Sequence, residues 1–228
     1  MITEKNEFYK GLGLLVAFFI ILIFMFMPIF KGENGLEYLD ALYNSISKGS
    51  AYYIPKVKEE TEKYKSNSVS LTLPMTNEAQ ARQIALLFTK SGGIVDVSES
   101  FLKITCDLGI VLENCLIDAD MMYANNGRAV VDKYGYDEKQ VLYNWWNSFK
   151  LMDKELKKQK KFKEAHIIEL VKKKAVETSY NYYEIEPQRI SERFGLVIFS
   201  LVFYVIYTLW YGFAIMFLFE GWGLQLEH

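Results

Sequence analysis

Apolar residues are concentrated in two uninterrupted runs, one near each end of the chain, with a mixed polar segment between them. Residues 11–30 and residues 194–219 contain no charged side chain. At a rise of about 1.5 Å per residue, a helix over the shorter run is as long as the hydrocarbon core of a bilayer is thick. The pattern therefore predicts two transmembrane helices, with both ends of the chain on the same side of the membrane.

The segment after the first run has a helical pattern and then becomes strongly charged. Leu36, Leu39 and Leu42 recur with a period near 3.6, which is typical of an amphipathic helix. Pro55 marks a fresh start in PKVKEETEKYK, which is charged on nearly all sides. We expect residues 31–67 to form a helical stalk that leaves the membrane.

Residues 68–134 have the pattern of a small α+β unit. SVSLTLP at 68–74 alternates between polar and apolar residues, and residues 77–93 have a helical pattern that Asn77 can cap. GIVDVSE and FLKITCD predict two further strands, joined by a tight turn at Glu99 and Ser100. The predicted order is β-α-β-β, with a helix over 108–124 packed on the sheet.

From residue 137 the pattern is helical again, with an apolar seam at three- and four-residue steps. We interpret it as two antiparallel helices, 137–158 and 163–183, although no glycine or proline enforces a turn and one long helix is the alternative. Of the adjacent Trp145 and Trp146, we expect at least one to pack in the core and the other to pack or contact a partner. The seam consists of Leu142, Trp145, Phe149, Met152 and Leu156.

The predicted fold class is a mainly α membrane protein in which two transmembrane helices flank an α+β extramembrane domain. That domain combines a three-stranded β-α-β-β unit with a helical hairpin. The predicted segments are a tail (1–10), a span (11–30), a stalk (31–67), the α+β unit (68–134), the hairpin (135–186), a second span (194–219) and a tail (220–228) that ends in a sequence resembling a tag remnant.

Composition narrows the class of protein. The chain has 228 residues, a net charge of -2 and 51% hydrophobic residues, which excludes a disordered chain or a disulfide-dense miniprotein. Basic residues flank the spans without a consistent bias, and we favour an extracytoplasmic domain. We expect the protein to be integral to a cell membrane, and we expect that membrane to be a bacterial inner membrane.

The sequence carries no recognisable catalytic constellation. It lacks phosphate-binding glycine loops and paired CxxC motifs, and His166 is the one histidine between the apolar runs. We therefore predict no catalytic residue, no cofactor and no metal site. Cys106 and Cys115 are interpreted as two small buried residues, with a disulfide as the alternative. Glu113, Asp118 and Asp120 are interpreted as a solvated acidic face, with a divalent cation site as the alternative.

A lysine-rich segment follows the seam. It can meet phosphate or anionic lipid head groups, although a solvated face explains it equally well. Because no stacking aromatic residues alternate with these lysines, we expect no nucleic-acid partner. The basic patch comprises Lys157, Lys158, Lys160, Lys161 and Lys163.

The second apolar run carries a stripe of polar side chains on one face. Hydroxyl groups in lipid need hydrogen-bond partners, so the stripe should pack against the first span or against another copy of the chain. A glutamate at the end of the run could form a charged ring at a pore mouth or simply end the helix in water. The stripe is Ser200, Tyr204, Tyr207, Thr208 and Tyr211, followed by Glu220.

These features predict a non-enzymatic integral membrane protein. We expect it to act as a scaffold or accessory subunit of a membrane complex, with the bilayer and either a second copy or another membrane protein as partners. The alternative is a homo-oligomeric channel or transport component lined by the second span. A third hypothesis is a membrane sensor whose domain binds a ligand.

Overall fold

The computed structural model describes residues 2–30, 32–98 and 101–224. The molecule is mainly α, with two long apolar helices at the termini packed together and a small three-stranded antiparallel sheet between them in sequence. Two compact units form, one from residues up to Gly49 together with those from Pro187 onward, and the other from Ser50–Glu186. The predicted turn at Glu99 and Ser100 and the end of the chain from residue 225 lie outside the described residues.

The elements follow one another along the chain with short connections. A 3₁₀ turn (Glu62–Tyr64) follows the third helix, and a π-helical turn (Lys172–Glu177) joins the eighth and ninth helices. The helices are α1 (Lys5–Phe26), α2 (Gly35–Ser50), α3 (Ile54–Thr61), α4 (Glu78–Lys90), α5 (Leu108–Tyr123), α6 (Gly127–Tyr134), α7 (Glu138–Lys158), α8 (Phe162–Val171), α9 (Thr178–Tyr182) and α10 (Ile190–Gly221), and the strands are β1 (Ser68–Pro74), β2 (Ile94–Val97) and β3 (Phe101–Asp107).

In the first unit, α1 and α10 are long and apolar enough to cross a membrane, by length and composition. Helix α1 ends at Phe26 because the next residue, Met27, precedes a proline and is therefore restricted to an extended backbone. The Met27 backbone has φ -75° and ψ 141°. Pro28 therefore lies beyond the helix, although the predicted span over residues 11–30 included it.

Helices α1 and α10 pack antiparallel along most of their length. At one end, the backbone amides of Thr3 and Glu4 donate to the carbonyl of Gly221 at 2.8 and 3.1 Å. Gly11 permits the close approach, because a Cβ atom there would lie 2.7 Å from the Leu218 amide nitrogen and 2.9 Å from the Ala214 carbonyl oxygen. The two ends of the described chain are therefore held together by backbone hydrogen bonds and by close packing of small residues.

The second unit is built on the sheet, whose strand order is β1-β3-β2. Strand β1 pairs antiparallel with β3, and Leu71 lies opposite Ile104 in the register. Alternate residues of both strands are buried, as the polar–apolar alternation predicts. The buried face packs against helices of the same unit, including α4, α5 and α7.

The charged segment around Pro55 is not a free stalk. It forms α3, and its Ile54, Val57 and Thr61 side chains are buried in the second unit, where α3 packs against α5. Because the buried residues recur at three- and four-residue spacing, one narrow face packs while the other faces carry the charges.

Helices α7 and α8 are separate and joined by a tight turn. Lys160 adopts a left-handed backbone with φ 61°, and the Lys161 amide donates to the Leu156 carbonyl at 2.9 Å. This backbone bond closes the end of α7, so the turn forms without glycine or proline. The hypothesis of one long helix over 137–183 is therefore wrong.

Candidate functional site

The polar stripe of α10 is divided between two surfaces. On the first, Ser200 is buried and its Oγ atom lies 2.6 Å from the hydroxyl of Tyr43 on α2. Tyr207 donates to the Phe18 carbonyl at 2.9 Å, and its ring stacks on the Phe18 ring with centroids 4.2 Å apart. These two stripe residues are satisfied inside the first unit.

The second surface carries the rest of the stripe. Tyr204 is 68% exposed and Tyr211 is 46% exposed. The Tyr211 ring lies 5.1 Å from the Phe18 ring of α1, so one side of it packs within the helix pair and its hydroxyl lies at the edge of the second surface. The Thr208 hydroxyl donates to the Tyr204 carbonyl at 2.8 Å, so it is satisfied within its own helix. Among the described residues, the hydroxyls of Tyr204 and Tyr211 have no hydrogen-bond partner. We call Tyr204, Thr208 and Tyr211 the outer row.

The first span supplies acceptors that its side chains did not suggest. Residues 11–30 carry no polar side chain, yet the Phe18 and Leu14 carbonyls accept from Tyr207 and Trp210. A helix carbonyl has a second lone pair, which can accept a side-chain donor beside its backbone bond. Trp210 is therefore bound to α1. Trp222 and Glu220 are exposed at the end of α10.

The apolar seam of the hairpin lies in the core of the second unit. All five of its residues are fully buried: Leu142, Trp145, Phe149, Met152 and Leu156. The Trp145 and Phe149 rings lie 5.5 Å apart. The Trp145 indole donates to Asp118 Oδ2 at 2.9 Å, so even this core residue takes part in a polar network.

Asp118 is the centre of that network and is not part of a solvated acidic face. Its side chain is 0% exposed. Oδ1 accepts from the Lys133 ammonium group at 2.5 Å, and Oδ2 accepts from the Tyr134 hydroxyl at 2.6 Å as well as from Trp145. Burial, followed by the adjacent Asp118 carboxylate, raises the pKa of Tyr134 far above its usual value.

The network has a second layer around Asn114. Its amide nitrogen donates to the Ser91 and Tyr134 hydroxyls at 2.8 and 3.1 Å, and its oxygen accepts from Lys133. Sequence reasoning missed Asn114, Lys133 and Tyr134. One signal of the network was present in the sequence. Asp118 lies on the same side of α5 as the apolar Cys115 and Met122, and a carboxylate on a buried side needs polar partners.

The other members of the expected acidic cluster are engaged separately. Glu113 lies 3.4 Å from Lys65, and Asp120 accepts from the Tyr52 hydroxyl at 2.7 Å. This hydrogen bond, with a smaller contribution from burial, raises the pKa of Tyr52 to about 12. Across the described part of the chain, no three histidine, cysteine or acidic side chains are grouped closely enough to hold a metal ion.

Cys106 and Cys115 are both buried and are not joined by a disulfide. Burial is the main reason that the pKa of Cys106 is raised to about 12, and it raises the pKa of Cys115 well above its usual value. Both thiols therefore stay protonated at neutral pH and are poor nucleophiles.

Trp146 lies on the outer side of the hairpin and lines a cleft of about 340 Å³. Its indole donates to Glu177 Oε1 at 2.7 Å, and its ring lies nearly parallel to that of Tyr143, at 22° with centroids 6.1 Å apart. The other lining residues are Leu142, Val176, Tyr180 and Asn181.

The basic patch separates into paired and unpaired lysines. Lys157 bonds to Asp153 at 2.7 Å and Lys158 bonds to Glu155 at 3.1 Å, both on α7. Lys160, Lys161 and Lys163 make no ion pair with any described residue. They lie at the turn into α8.

A broad cleft of about 660 Å³ opens beside that turn. Lys63, Lys163 and His166 are among its lining residues, together with Glu164. Glu164 accepts from the Asn67 amide at 3.2 Å. The surface therefore carries both signs of charge.

The chain matches no protein-family model, no curated protein sequence and no solved structure.

Proposed function

We propose that the protein is an integral membrane protein that acts as a non-enzymatic scaffold or accessory subunit by docking another transmembrane helix. The observation that carries this proposal is the outer row of α10. Two tyrosine hydroxyls project from an otherwise apolar helix pair without a partner among the described residues. Within a bilayer such hydroxyls gain hydrogen bonds only from another helix or from interfacial water.

The division of the stripe favours docking over a pore. Ser200 and Tyr207 bond inside the first unit, so only part of the stripe remains to face another molecule. The residues beside the outer row are apolar and exposed, including Leu201 and Val205. A narrow polar row with apolar flanks suits contact with one helix in lipid, whereas a water-filled pore requires a wider polar lining.

The buried reactive groups of the second unit are consistent with a non-enzymatic role. The buried Asp118 carboxylate accepts three hydrogen bonds, from Lys133, Tyr134 and Trp145. The thiols of Cys106 and Cys115 are held protonated by burial. These groups are buried in the second unit.

The test removes the two hydroxyl groups and measures association. We expect the double variant Tyr204→Phe/Tyr211→Phe to fold normally but to lose the oligomer, or the co-purifying membrane partner, that the wild-type protein retains in lipid nanodiscs. Native mass spectrometry gives the composition of the complex. Tyr9→Phe is the matched control, because it removes an exposed hydroxyl at the end of α1 outside the outer row.

Three results decide between the hypotheses. Loss of a homo-oligomer identifies a second copy as the partner, and loss of a different protein identifies an accessory role. An unchanged complex in the double variant contradicts the proposal. If the protein conducts ions in planar bilayers and the double variant changes that conductance, the channel hypothesis replaces the scaffold hypothesis.

A further inference from the structure

The geometry points to the cleft around Trp146 as a binding site for an organic cation, meaning an alkylammonium or guanidinium group. This inference concerns the second unit and does not depend on helix docking by α10. It rests on a carboxylate without a counter-ion, on aromatic walls and on an irregular helix that shapes the cleft.

The carboxylate is that of Glu177. Oε1 accepts the Trp146 indole hydrogen at 2.7 Å, which fixes the position of the side chain. In the described structure no lysine, arginine or histidine forms an ion pair with Glu177, and Oε2 accepts no hydrogen bond. A fixed and partly buried carboxylate with a free oxygen atom favours a cationic ligand, because charge-assisted hydrogen bonds are the strong ones.

The walls are aromatic. Tyr143, Trp146 and Tyr180 line the cleft, and Tyr143 and Tyr180 are each nearly half exposed. The faces of such rings carry negative partial charge and attract ammonium and guanidinium groups. An apolar cleft with a few fixed polar groups is also the general form of a small-ligand site.

Two lysines of the protein already lie near the Trp146 ring. The ammonium groups of Lys150 and Lys172 are 5.0 and 5.9 Å from its centroid. Lys172 is held by Glu169 at 2.5 Å, and neither lysine lines the cleft. Both distances are within the range at which a ring attracts a cation, so Lys150 should weaken the binding of another cation by repulsion.

The π-helical turn over Lys172–Glu177 is an independent indication. Its hydrogen bonds span five residues where those of an α-helix span four, and it ends at Glu177, so it sets the position of Val176 and Glu177 in the cleft. Such turns are rare and occur frequently at functional sites.

The test uses the whole 228-residue chain in detergent and two probes of the same shape. Choline is compared with its uncharged carbon isostere, in which a tert-butyl group replaces the trimethylammonium group. Binding is measured by calorimetry and by the indole resonance of Trp146, identified with Trp146→Phe. We expect choline to bind and the isostere to bind much more weakly. Because the choline ammonium carries no N–H group, Glu177 acts on it through charge attraction, and Glu177→Gln should weaken choline binding by about tenfold.

Control variants distinguish the effect of the Glu177 charge on choline binding from the effects of net charge and of misfolding. Glu59→Gln removes one negative charge from an exposed position that does not line the cleft, and it should leave choline affinity unchanged. Lys150→Met should strengthen binding. Thermal unfolding curves establish that each variant is folded.

Further probes distinguish the source of the cation. Stronger binding of a blocked Gly-Lys-Gly or Gly-Arg-Gly peptide than of butylammonium would indicate a side chain of a partner protein. Stronger binding of the free amine would indicate a small molecule. Equal binding of choline and the isostere, or no binding of any cation to the folded wild-type protein, would overturn the inference.

Discussion

Asp118 shows how a single charged residue organises the core of the second unit. A carboxylate transferred from water into a protein interior loses hydration that only several strong hydrogen bonds can replace. Lys133, Tyr134 and Trp145 provide these bonds from α6 and α7. The residue therefore connects three helices through directional contacts that apolar packing alone would not specify.

Replacing Asp118 with asparagine should strongly destabilise the protein. The asparagine amide carries no charge, so Lys133 loses its counter-ion. The NH2 group of the amide also faces groups that are themselves donors. We expect the free energy of unfolding to fall by about 3 kcal/mol, measured by chemical denaturation with tryptophan fluorescence. Asp132→Asn is the control, since Asp132 is exposed and lies 3.7 Å from Arg128, and it should change stability by less than about 0.5 kcal/mol. Equal effects of the two variants would contradict the prediction.

Among the secondary-structure elements, α1 and α10 are joined mainly by close packing. Gly11 faces backbone atoms of α10, whereas Gly13 faces open space. The carbonyls of Leu14 and Phe18 on α1 accept bonds from α10 side chains, which fixes the axial register of the two helices. Small residues at a helix contact increase van der Waals packing because the backbones can approach closely.

The two glycines of α1 provide a matched pair of variants. Gly11→Ala should weaken the contact between α1 and α10, because the added Cβ atom meets backbone atoms that cannot move alone. Gly13→Ala should be neutral or stabilise α1 by up to about 1 kcal/mol through higher helix propensity. SDS titration followed by tryptophan fluorescence measures both. A Gly11→Ala protein as resistant to SDS as Gly13→Ala would show that the contact is looser than described.

The molecule consists of two units that differ in where their apolar side chains lie. The unit of α1, α2 and α10 exposes large apolar side chains along both long helices. The unit over Ser50–Glu186 encloses a continuous apolar core between its sheet and helices. A core of this size is sufficient for independent folding.

A fragment over residues 50–186 should therefore fold by itself. We expect a soluble protein with a helical circular dichroism spectrum and one cooperative unfolding transition. A fragment over residues 68–186 lacks α3, whose Ile54, Val57 and Thr61 are buried, so it should unfold at lower denaturant concentration. Aggregation of the longer fragment, or a broad transition without cooperativity, would show that the second unit needs the rest of the chain.

The sequence by itself determined the features that depend on local periodicity. The two apolar helices, the alternating strands, the Asn77 cap and the buried seam of α7 all arise from residues close to one another along the chain. Helix and strand periods place side chains on faces before any tertiary contact forms. The end of α1 is an exception, because the apolar run predicted a helix to residue 30 whereas α1 ends at Phe26, before Pro28.

Only the tertiary structure decided which polar groups are satisfied. The stripe on α10 looked uniform, but Tyr207 meets a carbonyl of α1 whereas Tyr204 meets none. Asp118 looked solvated until Lys133 and Tyr134 were brought to it, and the Trp146 cleft needs Glu177 from another helix. Hydrogen bonds between distant residues depend on how helices cross, and sequence periodicity does not specify that geometry.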